Sequence, residues 1–154
     1  YIAYKLYEEI SPFHFKTRLV DIEFVEIRKK KTITHALKGF FIEDDKRVAD
    51  RFEGKSFERY IHPKAMDNIT SIQNTMFQYM IGNTDFSVAY QHNGKLLYAN
   101  NKIYPLPYDF DLCGLVDASY AIVNSTLGIR SVKERKYRGF KIILLGRPLK
   151  ITKL

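Results

Sequence analysis

The chain has 154 residues, of which 45% are hydrophobic, 27% charged and 14% aromatic, a composition that excludes collagen-like, low-complexity and disulfide-framework classes. Its single cysteine, Cys113, allows no internal disulfide, and no apolar run reaches the roughly 20 residues of a membrane-spanning helix. The net charge of +8 sits at one end: residues 1–129 hold 16 Lys/Arg and 16 Asp/Glu, whereas residues 130–154 hold nine Lys/Arg and one Glu. A basic segment with Tyr137 and Phe140 but no base-reading motif argues for a solvated or partner-docking tail and against nucleic-acid binding.

Residues 1–10 predict an amphipathic helix. Ile2, Leu6 and Ile10 recur at helical spacing beside Ala3, and Ser11-Pro12 stops the run. No capping residue precedes Tyr1, which is the pattern of a piece cut from a longer chain. Two strands follow, over Arg18–Ile27 and Ile33–Ile42. The first sets Leu19, Asp21, Glu23 and Val25 against Val20, Ile22, Phe24 and Glu26, and Arg28-Lys29-Lys30-Lys31 forms the turn between the strands. Asp44-Asp45 caps a short helix to about Phe52, which Gly54 ends, and His62-Pro63 breaks the chain again. Asp67 or Asn68 starts a longer helix with Ile69, Ile72, Met76, Phe77 and Met80 as its apolar stripe, and Gly82 stops it. Lys95–Tyr98 and Ile103–Leu106 form a hairpin around Asn100-Asn101. A last helix is expected over Val132–Arg138, ended by Gly139. The order is α+β, without βαβ alternation or a glycine-rich dinucleotide loop.

Two polar loops flank the small hairpin. The first runs from Ile81-Gly82-Asn83-Thr84-Asp85-Phe86-Ser87 to Gln91-His92-Asn93, and the second is Pro105-Leu106-Pro107-Tyr108-Asp109-Phe110-Asp111. A hairpin brings its outer ends together, so Asn93 and Asp109 become neighbours, and Asp85 reaches them through the loop ending at Asn93. One aspartate as base with an amide and further carboxylates beside it is a phosphoryl-transfer inventory. Magnesium takes carboxylate and amide oxygens, and an attacking hydroxyl needs a carboxylate within hydrogen-bond reach. His14, His35, His62 and His92 have no metal-ligand spacing. Cys113 lacks a histidine arrangement and reads as buried packing, and Tyr108 as support beneath the loop.

Gly-Asn-Thr-Asp, then His92-Asn93, then Pro-Tyr-Asp-Phe-Asp, resembles the C-lobe of atypical protein-kinase-like folds. It is most similar to the spore-coat CotH kinase-like family and its secreted Bacteroidetes relatives. The Tyr4-Lys5-Leu6-Tyr7, Arg18-Leu19-Val20, Phe41-Ile42-Glu43-Asp44, Gly114-Leu115-Val116 and Arg135-x-Tyr-Arg-Gly segments extend the similarity over most of the chain. The resemblance implies a kinase-like fold that is mostly C-lobe with a partial N-lobe. Residues 1–43 would be the N-lobe remnant and hinge, 44–140 the C-lobe and 141–154 a basic tail. It implies Asp85 as catalytic base, Asn93, Asp109 and Asp111 as metal ligands, Asn83 and His92 as loop support, and Ile42, Glu43 and Asp44 as a nucleotide hinge. It also implies Mg- or Mn-ATP, a protein hydroxyl as acceptor, and a secreted or periplasmic setting. The small-lobe lysine and glycine-rich loop are not found in this stretch. Two alternatives stand beside the kinase reading: a non-catalytic pseudokinase-like binding or surface protein, and a metal-dependent phosphate hydrolase.

Overall fold

The computed structural model describes residues 1–139 and the strand segments Ile143–Leu144 and Arg147–Pro148. It is a mixed α+β arrangement of three α-helices and small antiparallel sheets among the described residues. Beyond the backbone of those two segments, the basic tail expected at 141–154 lies outside the described residues.

Helix α1 spans Ile2–Glu8. Its buried face differs from the expected one: Ala3, Tyr4 and Tyr7 are buried, whereas Ile2 and Leu6 are exposed. The tyrosines win the core because each meets an aromatic partner, Tyr4 against Phe110 at 4.8 Å and Tyr7 against Phe77 at 4.9 Å between ring centroids.

Strands β1 (Thr17–Arg28) and β2 (Lys31–Ile42) form a two-stranded ribbon in unbroken register, from Thr17 opposite Ile42 to Arg28 opposite Lys31. No other strand joins it among the described residues, and Leu19, Phe24, Ile27 and Phe41 are exposed. At the base of the ribbon the Glu43 N–H donates to the Lys16 carbonyl, the Lys16 N–H donates to the Glu43 carboxylate, and that carboxylate takes a two-pronged donation from Arg51 at 3.0 and 2.9 Å. Such a forked pair fixes direction as well as distance. It holds the end of β2 against α2 (Asp45–Arg51), whose N-cap is Asp44, accepting from the Lys46 N–H at 2.9 Å.

Helix α3 runs Asn68–Met80 behind an Asp67 cap. The expected stripe holds only at Phe77, which is buried, and at half-buried Ile72; Ile69, Met76 and Met80 are exposed, and the inner face is Thr70, Asn74, Phe77 and Gln78. Periodicity located the helix, but five apolar residues spread around it did not define the side that faces inward. Phe77 and Ile81 anchor that side in the main core, with Val48 and Ala49 of α2 and Phe110.

Strand β3 (Lys55–Ser56) edges the hairpin of β4 (Gly94–Ala99) and β5 (Lys102–Pro107). Asn100 and Asn101 turn the hairpin at φ of 49° and 58°, the paired left-handed geometry that asparagine tolerates. Leu97, Ala99, Tyr104 and Leu106 face the core.

The helix expected at Val132–Arg138 is absent; the segment is a turn at Val132-Lys133 followed by irregular backbone. A seven-residue helix has little stability of its own, and tertiary contacts replace it here. Arg135 donates to the Met80 carbonyl at 3.0 Å, and the Val132 carbonyl lies so close to Gly114 that an added Cβ there would meet it at 2.1 Å.

Candidate functional site

The site forms where α3 ends and the β4–β5 hairpin opens. Gly82, at φ +66°, turns the chain out of α3. Asn83 is then buried, and its side-chain oxygen accepts the Asp85 N–H at 3.0 Å, a local turn of the kind asparagine makes. The loop beyond Asp85 is closed by a two-way backbone bridge between Ser87 and His92, at 2.9 and 3.0 Å. This closure brings His92 and Asn93 back onto Asp85.

Both carboxylate oxygens of Asp85 are engaged. Oδ1 meets His92 Nε2 at 3.0 Å, and Oδ2 accepts from Asn93 Nδ2 at 2.9 Å. The same Nδ2 donates to the Asp85 carbonyl at 2.8 Å. Asn93 adopts φ +49°, in the left-handed region. Because its Nδ2 is turned onto Asp85, Oδ1 is the atom it has left for a cation.

On the other strand, the Tyr108 N–H reaches the Asn93 carbonyl at 3.3 Å, beyond the Gly94–Pro107 pair that ends the ladder. Asp109 follows at φ +55°, and its N–H donates to the Tyr4 hydroxyl at 3.1 Å. Burial raises the Asp109 carboxyl above the usual range. The charge of Asp111 adds to this, and Asp85 contributes a smaller push. Tyr4's own phenol is raised, chiefly by burial. Of the expected neighbours, Asp85 and Asn93 are in direct contact, Asn83 and His92 brace Asp85, and Asp109 follows Tyr108, which bonds the Asn93 carbonyl. Tyr108 packs its ring edge-on against Tyr4 and Phe15.

A cavity of about 300 Å³ opens beside Asp109, lined by Phe40, Ile42, Tyr4, Tyr108 and Asp111 among others. It joins the end of β2 to the acidic loop, so Ile42 faces the same space as the two aspartates. Glu43 and Asp44 do not line it: Glu43 is committed to Arg51, and Asp44 caps α2. Cys113, which also lines the cavity, is buried and free of any disulfide.

No three His, Cys, Asp or Glu side chains gather closely enough to hold a metal ion among the described residues. Asp109 and Asp111 with the Asn93 amide are two carboxylates and one neutral oxygen, a hard-oxygen set that suits magnesium or manganese only when substrate oxygens and water complete the shell. Burial raises Asp109 most and the charge of Asp111 second, and a bound dication would relieve the second of these. The histidines are dispersed: His14 bonds the Ser11 carbonyl, His35 lies 3.7 Å from Glu26, and His62 caps a short turn through Lys64 N–H.

Two contributions had no sequence signal. Tyr4 reaches Asp109 across 105 residues. Arg138, counted in the basic end of the chain, donates to the Thr84 carbonyl and lies 5.7 Å from the Phe86 ring centroid, so it clamps the Asp85 loop.

No family model, curated protein or solved structure matches this chain.

Proposed function

We propose that this chain belongs to an atypical, CotH-like kinase that moves a phosphoryl group from metal-bound ATP to a protein hydroxyl. One observation carries the reading: Asn93 binds the Asp85 carboxylate and, through its own carbonyl, the backbone of Tyr108, so that Asp109 follows at the same open end of the hairpin and lines a cavity shared with Ile42.

In this reading Asp85 accepts the acceptor's proton as its oxygen bonds to the γ-phosphorus and the bond to the ADP oxygen breaks. Asn93 and His92 orient the Asp85 carboxylate. Asp109, Asp111 and the Asn93 Oδ1 would hold the cation, which would supply charge neutralisation on the phosphates. Ile42, Phe40 and Tyr108 offer apolar walls for the base, in a cavity at the small end of the range for ligand sites.

The test uses wild-type protein and two variants, with Mg- or Mn-ATP binding and phosphoryl transfer measured separately. Asp109→Asn is expected to weaken metal-dependent nucleotide binding at least about tenfold. Asp85→Asn should keep that binding and lose about 10²–10⁴-fold in transfer, the usual worth of a positioned base. Undiminished transfer by Asp85→Asn overturns the reading.

A second reading, nucleotide binding without turnover, is favoured by one fact: both oxygens of Asp85 already hold partners. Metal-ATP binding with no transfer to any acceptor by the wild-type protein selects it.

A further inference from the structure

A second concavity, of about 370 Å³, lies against the tip of the Asp85–Asn93 loop and is lined by Asp45, Glu58, Tyr60, Tyr90, Gln91 and Lys95 among others. Tyr60 and Tyr90 have ring centroids 5.1 Å apart, tilted by 49°, yet they are 59% and 77% exposed. Two aromatic rings held together in water at a concave surface offer faces rather than filling a core. Their placement is fixed by the backbone. Gln91, at φ +54°, donates its side-chain amide to the Arg59 carbonyl at 3.1 Å, which ties the loop tip to the segment carrying Tyr60.

The charges around the rings are uncommitted. The Asp45 and Glu58 carboxylates have neither an ion pair nor a hydrogen bond among the described residues, and neither does the Lys95 ammonium. Two acids against one ammonium leave the groove one negative charge in excess. Tyrosine faces attract a cation, and a carboxylate beside them adds a charge-assisted hydrogen bond. An anionic ligand would meet two carboxylates; a neutral one would leave the excess charge unanswered.

We infer that this groove binds an arginine or lysine side chain of a peptide. Tyr60 and Tyr90 supply the cation–π faces, and Glu58 and Asp45 the counter-charge. Tyr90 and Gln91 belong to the loop that carries Asp85, so a peptide anchored here lies alongside the candidate base. Its role as phosphoryl acceptor rests on the phosphotransfer reading above, but its binding does not.

Isothermal titration without nucleotide tests the site, using an Arg-Ser peptide and matched peptides carrying Gln or Glu in place of Arg. The Arg peptide is expected to bind about tenfold more tightly than the Gln peptide, and more weakly at high salt. Tyr90→Ala and Glu58→Gln should each lower its affinity severalfold, and Tyr90→Phe should retain it; circular dichroism confirms that the variants fold. Equal binding of the three peptides, no binding of the Arg peptide, or no effect of Tyr90→Ala overturns the site. Transfer by the wild-type protein is measured in parallel. Binding without transfer retains the groove and removes the phosphotransfer reading, whereas transfer without selective binding does the reverse.

Discussion

The Asn93 carboxamide nitrogen bridges the carboxylate and the carbonyl of Asp85, at 2.9 and 2.8 Å. One amide thus fixes both the side chain and the backbone of the candidate base. It does so across an eight-residue loop whose closure depends on the Ser87–His92 bridge. Loops that carry function are held by contacts of this kind because they have little buried apolar surface of their own.

Asn93→Ala removes both bonds. It is expected to cost about 1–2 kcal/mol of stability. Hydrogen exchange should rise in residues 85–93 while the α1–α3 core keeps its protection. Exchange that rises uniformly over the chain would show that Asn93 supports the whole fold rather than this loop.

Tyr4→Phe deletes the hydroxyl that receives the Asp109 N–H and leaves the aromatic core contacts in place. The expected loss is about 1 kcal/mol in urea unfolding. The freed backbone should also weaken metal-nucleotide binding. A stability loss with unchanged binding would separate Tyr4 from the site.

Asp67 links α3 to the hairpin, accepting from the Thr70 N–H at 3.0 Å and pairing with Lys102 at 3.0 Å. Burial alone would raise its pKa, but the Thr70 and Lys102 bonds together hold it below the usual carboxylate value. A depressed carboxylate contributes stability that is fully present above the unfolded pKa of about 4 and is lost as pH falls through the lower folded value. Denaturation midpoints of the wild-type protein should therefore fall below about pH 4 more steeply than those of Asp67→Asn, which can still cap the helix. Parallel acid profiles would count against this linkage.

Gly114→Ala should be among the most damaging small substitutions. The added Cβ would sit 2.1 Å from the Val132 carbonyl, a backbone atom that moves only if the 130–138 segment shifts. A loss of about 2 kcal/mol or more is expected, in the range of overpacked sites. Limited proteolysis should cut first within that segment. Wild-type resistance there would show that the segment adapts without leaving.

Much of this architecture was legible in the sequence because its signals are local. Alternation and a basic turn mark the β1–β2 ribbon, Asp44 and Asp67 cap their helices through their own side chains, and Asn100-Asn101 turns the small hairpin. Hairpin geometry also brings Asn93 to the backbone of Tyr108, next to Asp109, since a two-residue turn leaves little freedom to the far ends. What failed were judgements of facing. Ile2, Leu6, Ile69, Met76 and Met80 have helical spacing but point outward, while Tyr4, Tyr7, Asn74 and Gln78 are inside. Spacing defines an apolar side only when the partner surface is known, and that surface is assembled from residues far apart in the chain. The same holds for the Val132–Arg138 segment, where contacts with Gly114 and the Met80 carbonyl outweigh a weak helical preference. The sequence by itself determined helices α1 to α3, the two hairpins, the Asp44 and Asp67 caps and the polar inventory of Asp85, Asn93, Asp109 and Asp111. Only the tertiary structure decided that Asn93 grips Asp85, that Tyr4 anchors Asp109 and that Arg138 clamps the loop, because each is a contact whose energy exists only after the chain has closed on itself.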